Sequence, residues 1–200
     1  MRILFYTDDP GIGGAAACTH RLAVGFARRG FDVVYAASRR DDPRVQQWVA
    51  EREAAGVRHA FLPFDTLKQY YFGTQDRLMT GALFLELRPD LIVFSDGVLD
   101  SALGARRAAA GLGIPFIGLK HMVVDNNPWT EHPSIRRTMA EILRLERCSV
   151  TVSHPSRELL IKLFGAVPER TVVVPNSLVT QLSECACGLS GVWGMMISWC

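Results

Sequence analysis

The first 38 residues constrain the fold most, because apolar runs alternate there with a glycine turn and a stretch of helix formers. In chain order these are an apolar run at 2–7, a turn with Gly13 and Gly14, helix-forming residues at 15–29, and a second apolar run at 32–37. This order predicts a strand, a loop, a helix and a second strand. Two parallel strands joined by a helix place the glycine turn at the carboxyl end of the first strand, where open α/β sheets bind ligands.

The same alternation continues along the rest of the chain. Further strands are predicted at residues 57–62, 90–94, 114–119, 149–152 and 171–174, and further helices at 42–56, within 64–87, and at 99–112, 134–147 and 155–164. Ser134 is the predicted cap of the helix that it begins. Continuous apolar strands that alternate with helices indicate a parallel sheet covered on both faces. We therefore expect a single Rossmann-like α/β domain, with about seven parallel strands and helices on both faces of the sheet.

Composition narrows the classes of function. A net charge of +2 over 200 residues is too small to favour nucleic acid as a partner. No apolar run approaches the roughly 18 residues of a membrane span, and the carboxylates of Asp8 and Asp9 come too early for a signal peptide. We therefore expect a cytoplasmic protein without a transmembrane segment and without a nucleic-acid partner.

The last 22 residues differ in composition from the rest. Residues 179–200 hold three of the five cysteines, two of the four tryptophans and no lysine or arginine. Cys185 and Cys187 lack a second thiol pair or nearby histidines, so no metal site is expected. We interpret residues 1–178 as the domain and residues 179–200 as a tail outside the fold, which a shifted reading frame or an aberrant end would produce.

Several short motifs follow one another in order along the domain. They are the strand at 2–7 with Gly13-Gly14, Arg29-Gly30-Phe31 before the second strand, PDLI at 89–92, GIPFI at 113–117 with His121, Val152-Ser153, and VVVPN at 172–176. In this order they resemble the amino-terminal domain of a family 4 glycosyltransferase of the GT-B fold. Phe31 stands where that family usually has histidine, and Ser177 stands where it usually has glycine.

The resemblance implies a reaction and three site residues. Family 4 enzymes move a sugar from a nucleotide-sugar to an acceptor hydroxyl and retain its anomeric configuration. By this resemblance Gly13 and Gly14 would lie against the donor diphosphate, and His121 would be the catalytic residue beside the transferred sugar. The nucleotide-sugar would be a substrate, and neither a cofactor nor a metal is implied.

A second domain of the GT-B fold is not evident in the sequence. That domain binds most of the nucleotide-sugar in the family and carries a Glu-x7-Glu motif, and no two glutamates here have that spacing. The resemblance ends near Leu178, so the tail is expected to be non-homologous. We therefore expect the acceptor-side half of an enzyme, inactive alone. The alternative is a non-catalytic module that docks a separate donor-binding chain.

Other side chains are candidates for the acceptor site. Carboxylates that follow strands could bind acceptor hydroxyls, and aromatic side chains in the two long loops could line the cleft: Asp8, Asp9, Asp96 and Asp100, and Tyr70, Tyr71, Phe72 and Trp129. The remaining histidines carry no such indication, and His20 is predicted to lie at the surface. The pairs Arg106-Arg107 and Arg136-Arg137 are predicted to lie on solvated helix faces.

A dinucleotide site is the competing hypothesis. Gly11, Gly13 and Ala16 have the spacing of the dinucleotide fingerprint, and Ser38-Arg39-Arg40 could accept the 2′-phosphate of NADP. Against this, Asp8 and Asp9 separate the first strand from the glycines and would repel a pyrophosphate. The transferase hypothesis is therefore preferred.

Overall fold

The computed structural model describes residues 1–7, 12–38, 41–62, 74–99, 101–125 and 132–175. Within them lie seven strands: β1 (Arg2–Thr7), β2 (Asp32–Ser38), β3 (Arg58–Leu62), β4 (Leu91–Asp96), β5 (Phe116–Lys120), β6 (Cys148–Thr151) and β7 (Thr171–Val173). The same residues form six α-helices: α1 (Gly14–Arg28), α2 (Pro43–Ala54), α3 (Thr74–Leu87), α4 (Leu103–Gly111), α5 (Pro133–Leu145) and α6 (His154–Phe164). A 3-10 turn at Pro168–Arg170 leads into β7.

All seven strands form one parallel sheet in the order β3-β2-β1-β4-β5-β6-β7. The chain therefore moves outward from β1 in one direction, crosses back, and continues outward from β4 in the other. The strand order reverses between β1 and β4, where Thr7 is paired with Ser95. Open α/β sheets bind ligands in the crevice beyond such a reversal. The predicted fold class, a single Rossmann-like domain, is confirmed.

Helices cover both faces of the sheet, as the apolar strands predict. On one face Phe26 of α1 packs with Phe5 of β1 and Tyr35 of β2. On the other face Phe84 of α3 packs with Tyr6 and Phe94, and α4 and α5 complete the same core. Successive residues of β1 point to opposite faces, so Phe5 and Tyr6 belong to different cores. The β1 and β4 strands are thus buried from both sides.

Helix ends follow local chemistry, with one correction. The Asp42 carboxylate accepts a hydrogen bond from the Arg44 amide (2.8 Å) at the start of α2, and the Ser153 hydroxyl caps α6. The prediction that Ser134 caps its helix was wrong. The helix begins at Pro133, with His132 in the capping position, because the proline ring already holds the first helical φ.

Candidate functional site

The glycine turn leads into α1 at the carboxyl edge of the sheet. Gly13 is the residue before the helix, with extended backbone angles, and Gly14 is its first residue. A β-carbon added at either glycine would have no atom within 4 Å, and neither residue has a positive φ. Glycine is therefore not demanded here by packing or by backbone strain. The first turn of α1 contains no acidic side chain.

His121 lies directly after β5, at the same edge of the sheet. Its Nε2 is 3.1 Å from the Ser95 hydroxyl oxygen on β4. The Ser95 oxygen is in turn 2.5 Å from the Thr19 hydroxyl oxygen on α1. Thr19 and Ser95 are buried, whereas His121 is partly exposed. This hydrogen-bonded chain, Thr19–Ser95–His121, ties the helix that follows the glycine turn to the loop that carries the histidine.

A buried ion cluster lies on the α4 face of the sheet. The Glu146 carboxylate accepts hydrogen bonds from Arg106 (2.5 Å), Lys120 (2.7 Å) and the Ser149 hydroxyl (2.6 Å). Arg106, Lys120 and Glu146 are each 1% exposed. The prediction that Arg106 lies on a solvated helix face was wrong, because the carboxylate that holds it is 40 residues away in sequence. With no solvent access, the cluster supports the end of β5 and does not form part of an open site.

A second polar cluster lies on the opposite face, between α1, α2 and the outer strands. The buried Arg52 guanidinium lies over the Tyr35 ring, 4.0 Å from its centroid, and donates to Nε2 of His59. It also contacts the His20 ring, which stacks on Trp48 and reaches Glu51. His20 is only 8% exposed, so its predicted place at the surface was wrong.

The histidines of this second cluster are held neutral. Burial first, and then the Arg52 cation, lower the pKa of His59 to about 4. The same two causes lower the pKa of His20, against an opposing effect of Glu51. Neutral rings can accept hydrogen bonds from Arg52, which protonated rings cannot. We therefore assign this cluster to the stability of the fold.

Comparison with protein families assigns most of the chain. The model of Glycosyltransferase Family 4 matches residues 12–182, which is more than half of the chain. The chain belongs to this family. Its match begins at the glycine turn and includes Thr19, Ser95 and His121, so the family 4 region contains the whole edge described above. A comparison with curated protein sequences gives no match.

Solved structures with the same fold include sugar-nucleotide enzymes. HepE of Anabaena, crystallised in complex with UDP, superposes with a TM-score of 0.66 at 16% identity over 98% of this chain and 50% of that one. UGT73P12 of Glycyrrhiza uralensis, complexed with glycyrrhetinic acid 3-O-monoglucuronide, gives 0.62 at 16% identity over 99% and 54%. UDP-GlcNAc 2-epimerase of Neisseria meningitidis, bound to UDP-GlcNAc, gives 0.59 at 12% identity over 86% and 46%. The family 4 chain thus spans about half the length of these structures.

Several predicted site residues lie outside the described residues: Asp8, Asp9, Gly11, Arg39, Arg40, Tyr70, Tyr71, Phe72, Asp100, Trp129 and the tail. Asp96 ends β4, at the same edge as His121. Across the described ranges, no three His, Cys, Asp or Glu side chains gather where they could hold a metal ion. None of the helices described is long and apolar enough to span a membrane.

Two site residues escaped sequence reasoning. Thr19 follows the glycine turn by about one helical turn, and Ser95 is the next-to-last residue of β4. A serine at the carboxyl end of a central strand is the one available signal, since that is where α/β ligand sites form.

The family match favours the transferase hypothesis over the NADP alternative. Of the triplet Ser38-Arg39-Arg40, which could accept the 2′-phosphate of NADP, only Ser38 is among the described residues, and it is buried at the end of β2.

Proposed function

We propose that the chain is the acceptor-side half of a retaining glycosyltransferase that moves a sugar from a nucleotide-sugar to an acceptor hydroxyl. One observation carries this proposal: the glycine turn and His121 lie at one edge of the sheet, joined through Thr19 and Ser95, in a chain that belongs to family 4. A donor-binding domain would close over this edge. By itself the chain would be inactive.

Gly13 and Gly14 would face the diphosphate of the donor. The first amides of a helix lack partners within the helix, and the aligned peptide dipoles leave that end partly positive. Neither glycine places a side chain beside these amides, and a β-carbon added at either one would meet no atom within 4 Å. A phosphate group can therefore approach the backbone of α1 closely, and it would be stabilised there as negative charge builds on the departing nucleotide.

His121 would contact the transferred sugar. An imidazole can hydrogen-bond a sugar hydroxyl when neutral, and it can offset negative charge on the leaving phosphate when protonated. The Ser95 contact holds the ring in one orientation before any ligand arrives, which reduces the ordering needed at the moment of reaction. The chain would position the reactants and stabilise charge. The donor and the acceptor would be held between this chain and the donor-binding domain.

The donor nucleotide to test first is UDP. HepE of Anabaena was crystallised with UDP and the epimerase of Neisseria meningitidis with UDP-GlcNAc. Both superpose on this chain over most of its length. These likenesses support a uridine diphosphate sugar as the donor.

Replacing Gly14 by valine tests the phosphate role. The full chain is joined to a donor-binding domain from a family 4 enzyme, and UDP-sugar turnover is measured. Gly14→Val should lower kcat/KM by at least ~100-fold, or roughly 2.7 kcal/mol on the barrier. Gly25→Val is the matched control, because Gly25 lies in the same helix and its added β-carbon also meets open space. Equal losses in both variants would show an effect on the helix alone and reject the phosphate role.

The isolated chain tests the half-enzyme proposal. Purified without a donor-binding domain, it should transfer no sugar from UDP-sugars to acceptors, because the groups that hold the donor are on the other half. Measurable turnover would overturn the proposal. If a separate donor-binding chain forms a complex with it and the complex is also inactive, a non-catalytic docking module is supported instead.

A further inference from the structure

We infer that Thr19 and Ser95 are positioning residues that fix the proton of His121 on Nε2 and leave Nδ1 as its proton-accepting nitrogen. The importance of this for catalysis rests on the proposed function. The arrangement itself is a property of the folded chain and can be measured without a substrate. The inference follows from counting the hydrogen atoms that each of the three side chains can donate.

The hydroxyl group of Thr19 has one hydrogen, which it donates to the carbonyl oxygen of Ala15, 2.8 Å away in the preceding turn of α1. Thr19 is fully buried, so water does not compete for this bond. With its hydrogen committed, the Thr19 oxygen can only accept in its 2.5 Å contact with the Ser95 oxygen. The donor of that contact is therefore Ser95.

The direction of the Ser95 hydroxyl hydrogen determines which nitrogen of His121 carries a hydrogen. Its single hydroxyl hydrogen points to Thr19, so its oxygen must accept in the 3.1 Å contact with Nε2 of His121. The donor is an N–H group, and His121 therefore carries a hydrogen on Nε2. A neutral imidazole has only one such hydrogen, so Nδ1 is then unprotonated. The three contacts form a directed relay, Nε2–H to Ser95 to Thr19 to Ala15.

In this relay one nitrogen of His121, Nε2, holds the ring in place, and the other, Nδ1, is the nitrogen that can take up a proton. Protonation of neutral His121 adds a hydrogen at Nδ1 and leaves Nε2–H, and every bond of the relay, unchanged. Nδ1 is buried in the structure. Thr19 also lies on the helix that begins at Gly14. The relay would therefore keep the proposed phosphate and sugar contacts in fixed relation.

The tautomer of His121 tests the inference directly. The full chain, labelled with ¹⁵N in histidine, is studied by long-range ¹H–¹⁵N NMR at a pH where His121 is neutral, with His121→Gln to assign its signals. We expect Nε2 to carry the proton and Nδ1 to be unprotonated. A dominant Nδ1–H form in the unsubstituted chain would overturn the inference, and this measurement needs no variant that might fail to fold.

A pair of Thr19 variants tests the direction of the relay. Thr19→Val keeps the shape but removes the acceptor of the Ser95 hydrogen, so Ser95 becomes free to donate to Nε2. The ratio of Nε2–H to Nδ1–H forms should then fall at least threefold. Thr19→Ser keeps the hydroxyl and should keep the ratio of the unsubstituted chain. An unchanged ratio in a folded Thr19→Val chain would overturn the relay.

Turnover of the chain joined to a donor-binding domain separates this inference from the proposed function. If the tautomer shifts in Thr19→Val and kcat falls at least fivefold with little change in KM, the relay and the role of His121 in transfer are both supported. If the tautomer shifts but turnover does not, the relay stands and the role of His121 in transfer is rejected. If the tautomer does not respond, the relay is rejected whatever the turnover.

Discussion

The two faces of the sheet bury an arginine in opposite electrostatic settings. On the α4 face Arg106 shares the Glu146 carboxylate with Lys120, and all three side chains are sealed from solvent. On the α1 face Arg52 is held by the Tyr35 ring and by two histidines, and the Glu51 carboxylate, which contacts His20, is half exposed. One arginine is thus paired with charge and the other with neutral acceptors and an aromatic face.

The two clusters should therefore lose stability under different conditions. A buried ion pair is expensive to break, because removing one partner leaves an uncompensated charge in a medium that solvates it poorly. A cation held by neutral histidines is vulnerable to acid, because protonation turns its acceptors into like charges. The four predictions below, from the largest expected effect to the smallest, test this contrast.

Removing the shared carboxylate should have the largest effect. Glu146→Leu would leave Arg106 and Lys120 buried without the carboxylate that both contact. The free energy of unfolding should fall by about 3–5 kcal/mol, measured by urea denaturation. Glu141→Leu is the control, because Glu141 is exposed and 3.6 Å from the exposed Arg107, and its loss should be below about 1 kcal/mol. Similar losses in the two variants would contradict a special role for the buried cluster.

A single methyl group under the ion cluster should also be destabilising. A β-carbon at Gly118 would clash with Lys120 Nζ and lie 2.5 Å from Glu146 Oε1, and neither side chain can swing into solvent. Gly118→Ala should therefore lower the free energy of unfolding by about 1–3 kcal/mol. Gly25→Ala in α1 meets no atom within 4 Å and should be neutral or stabilising. A neutral Gly118→Ala would show that the cluster tolerates displacement.

Acid should weaken the α1 face. The folded-state pKa of His59 is about 4 and that of His20 is also lowered, whereas both groups titrate near 6.5 when unfolded. The unfolded state therefore binds more protons, and stability present above pH 6.5 is lost as the pH falls towards about 4. Because His59 is partly exposed, we expect its contribution to be about 1–2 kcal/mol.

Urea denaturation at a series of pH values measures this loss, and two substitutions assign it. His59→Gln retains an acceptor for Arg52 but does not titrate, so it should flatten the pH dependence between 6.5 and 4. His154→Gln changes an exposed histidine and should leave the dependence as it is. Equal pH profiles for all three proteins would place the acid sensitivity elsewhere.

Removing Arg52 should have the smallest effect at neutral pH. Arg52→Met keeps most of the packed stem and removes a buried cation that has no carboxylate hydrogen bond among the contacts described. The loss should be about 1 kcal/mol, from the ring contact and two hydrogen bonds offset by the desolvation that is no longer required. Acid sensitivity should also decrease, because Arg52 lowers the pKa of both histidines. A loss as large as that of Glu146→Leu would refute the contrast between the two faces.

Most of the elements could be predicted from the sequence, because their signals are local. Apolar runs, the glycines that end helices and the aspartate and serine caps act over a few residues. Gly30, Gly56, Gly113 and Gly165 all have positive φ within two residues of a helix end. Boundaries were less certain where two local signals competed, as at Ser134 and Pro133. The predicted helix at 99–112 begins only at Leu103, after Ala102 adopts a left-handed conformation.

The candidate site could be predicted in part, through motifs of the family. Gly13, Gly14 and His121 carry recognisable neighbours in sequence, and their roles remain proposals. Thr19 and Ser95 carry none, and they are 76 residues apart. The burial of His20 and Arg106 was missed for the same reason, since a charged or polar helix residue is expected in solvent unless a partner is known. Their partners Arg52 and Glu146 are 32 and 40 residues away.

Local sequence patterns were enough to predict that this chain alternates strands and helices and that its sheet is parallel, and its sequence matches Glycosyltransferase Family 4. The position of β4 beside β1 is visible only in the folded chain. That placement brings Ser95 between Thr19 and His121, and it directs the hydrogens of all three. The two kinds of interaction differ in range, because periodicity and turns act between neighbours along the chain, whereas a hydrogen bond depends on which strands become neighbours in space.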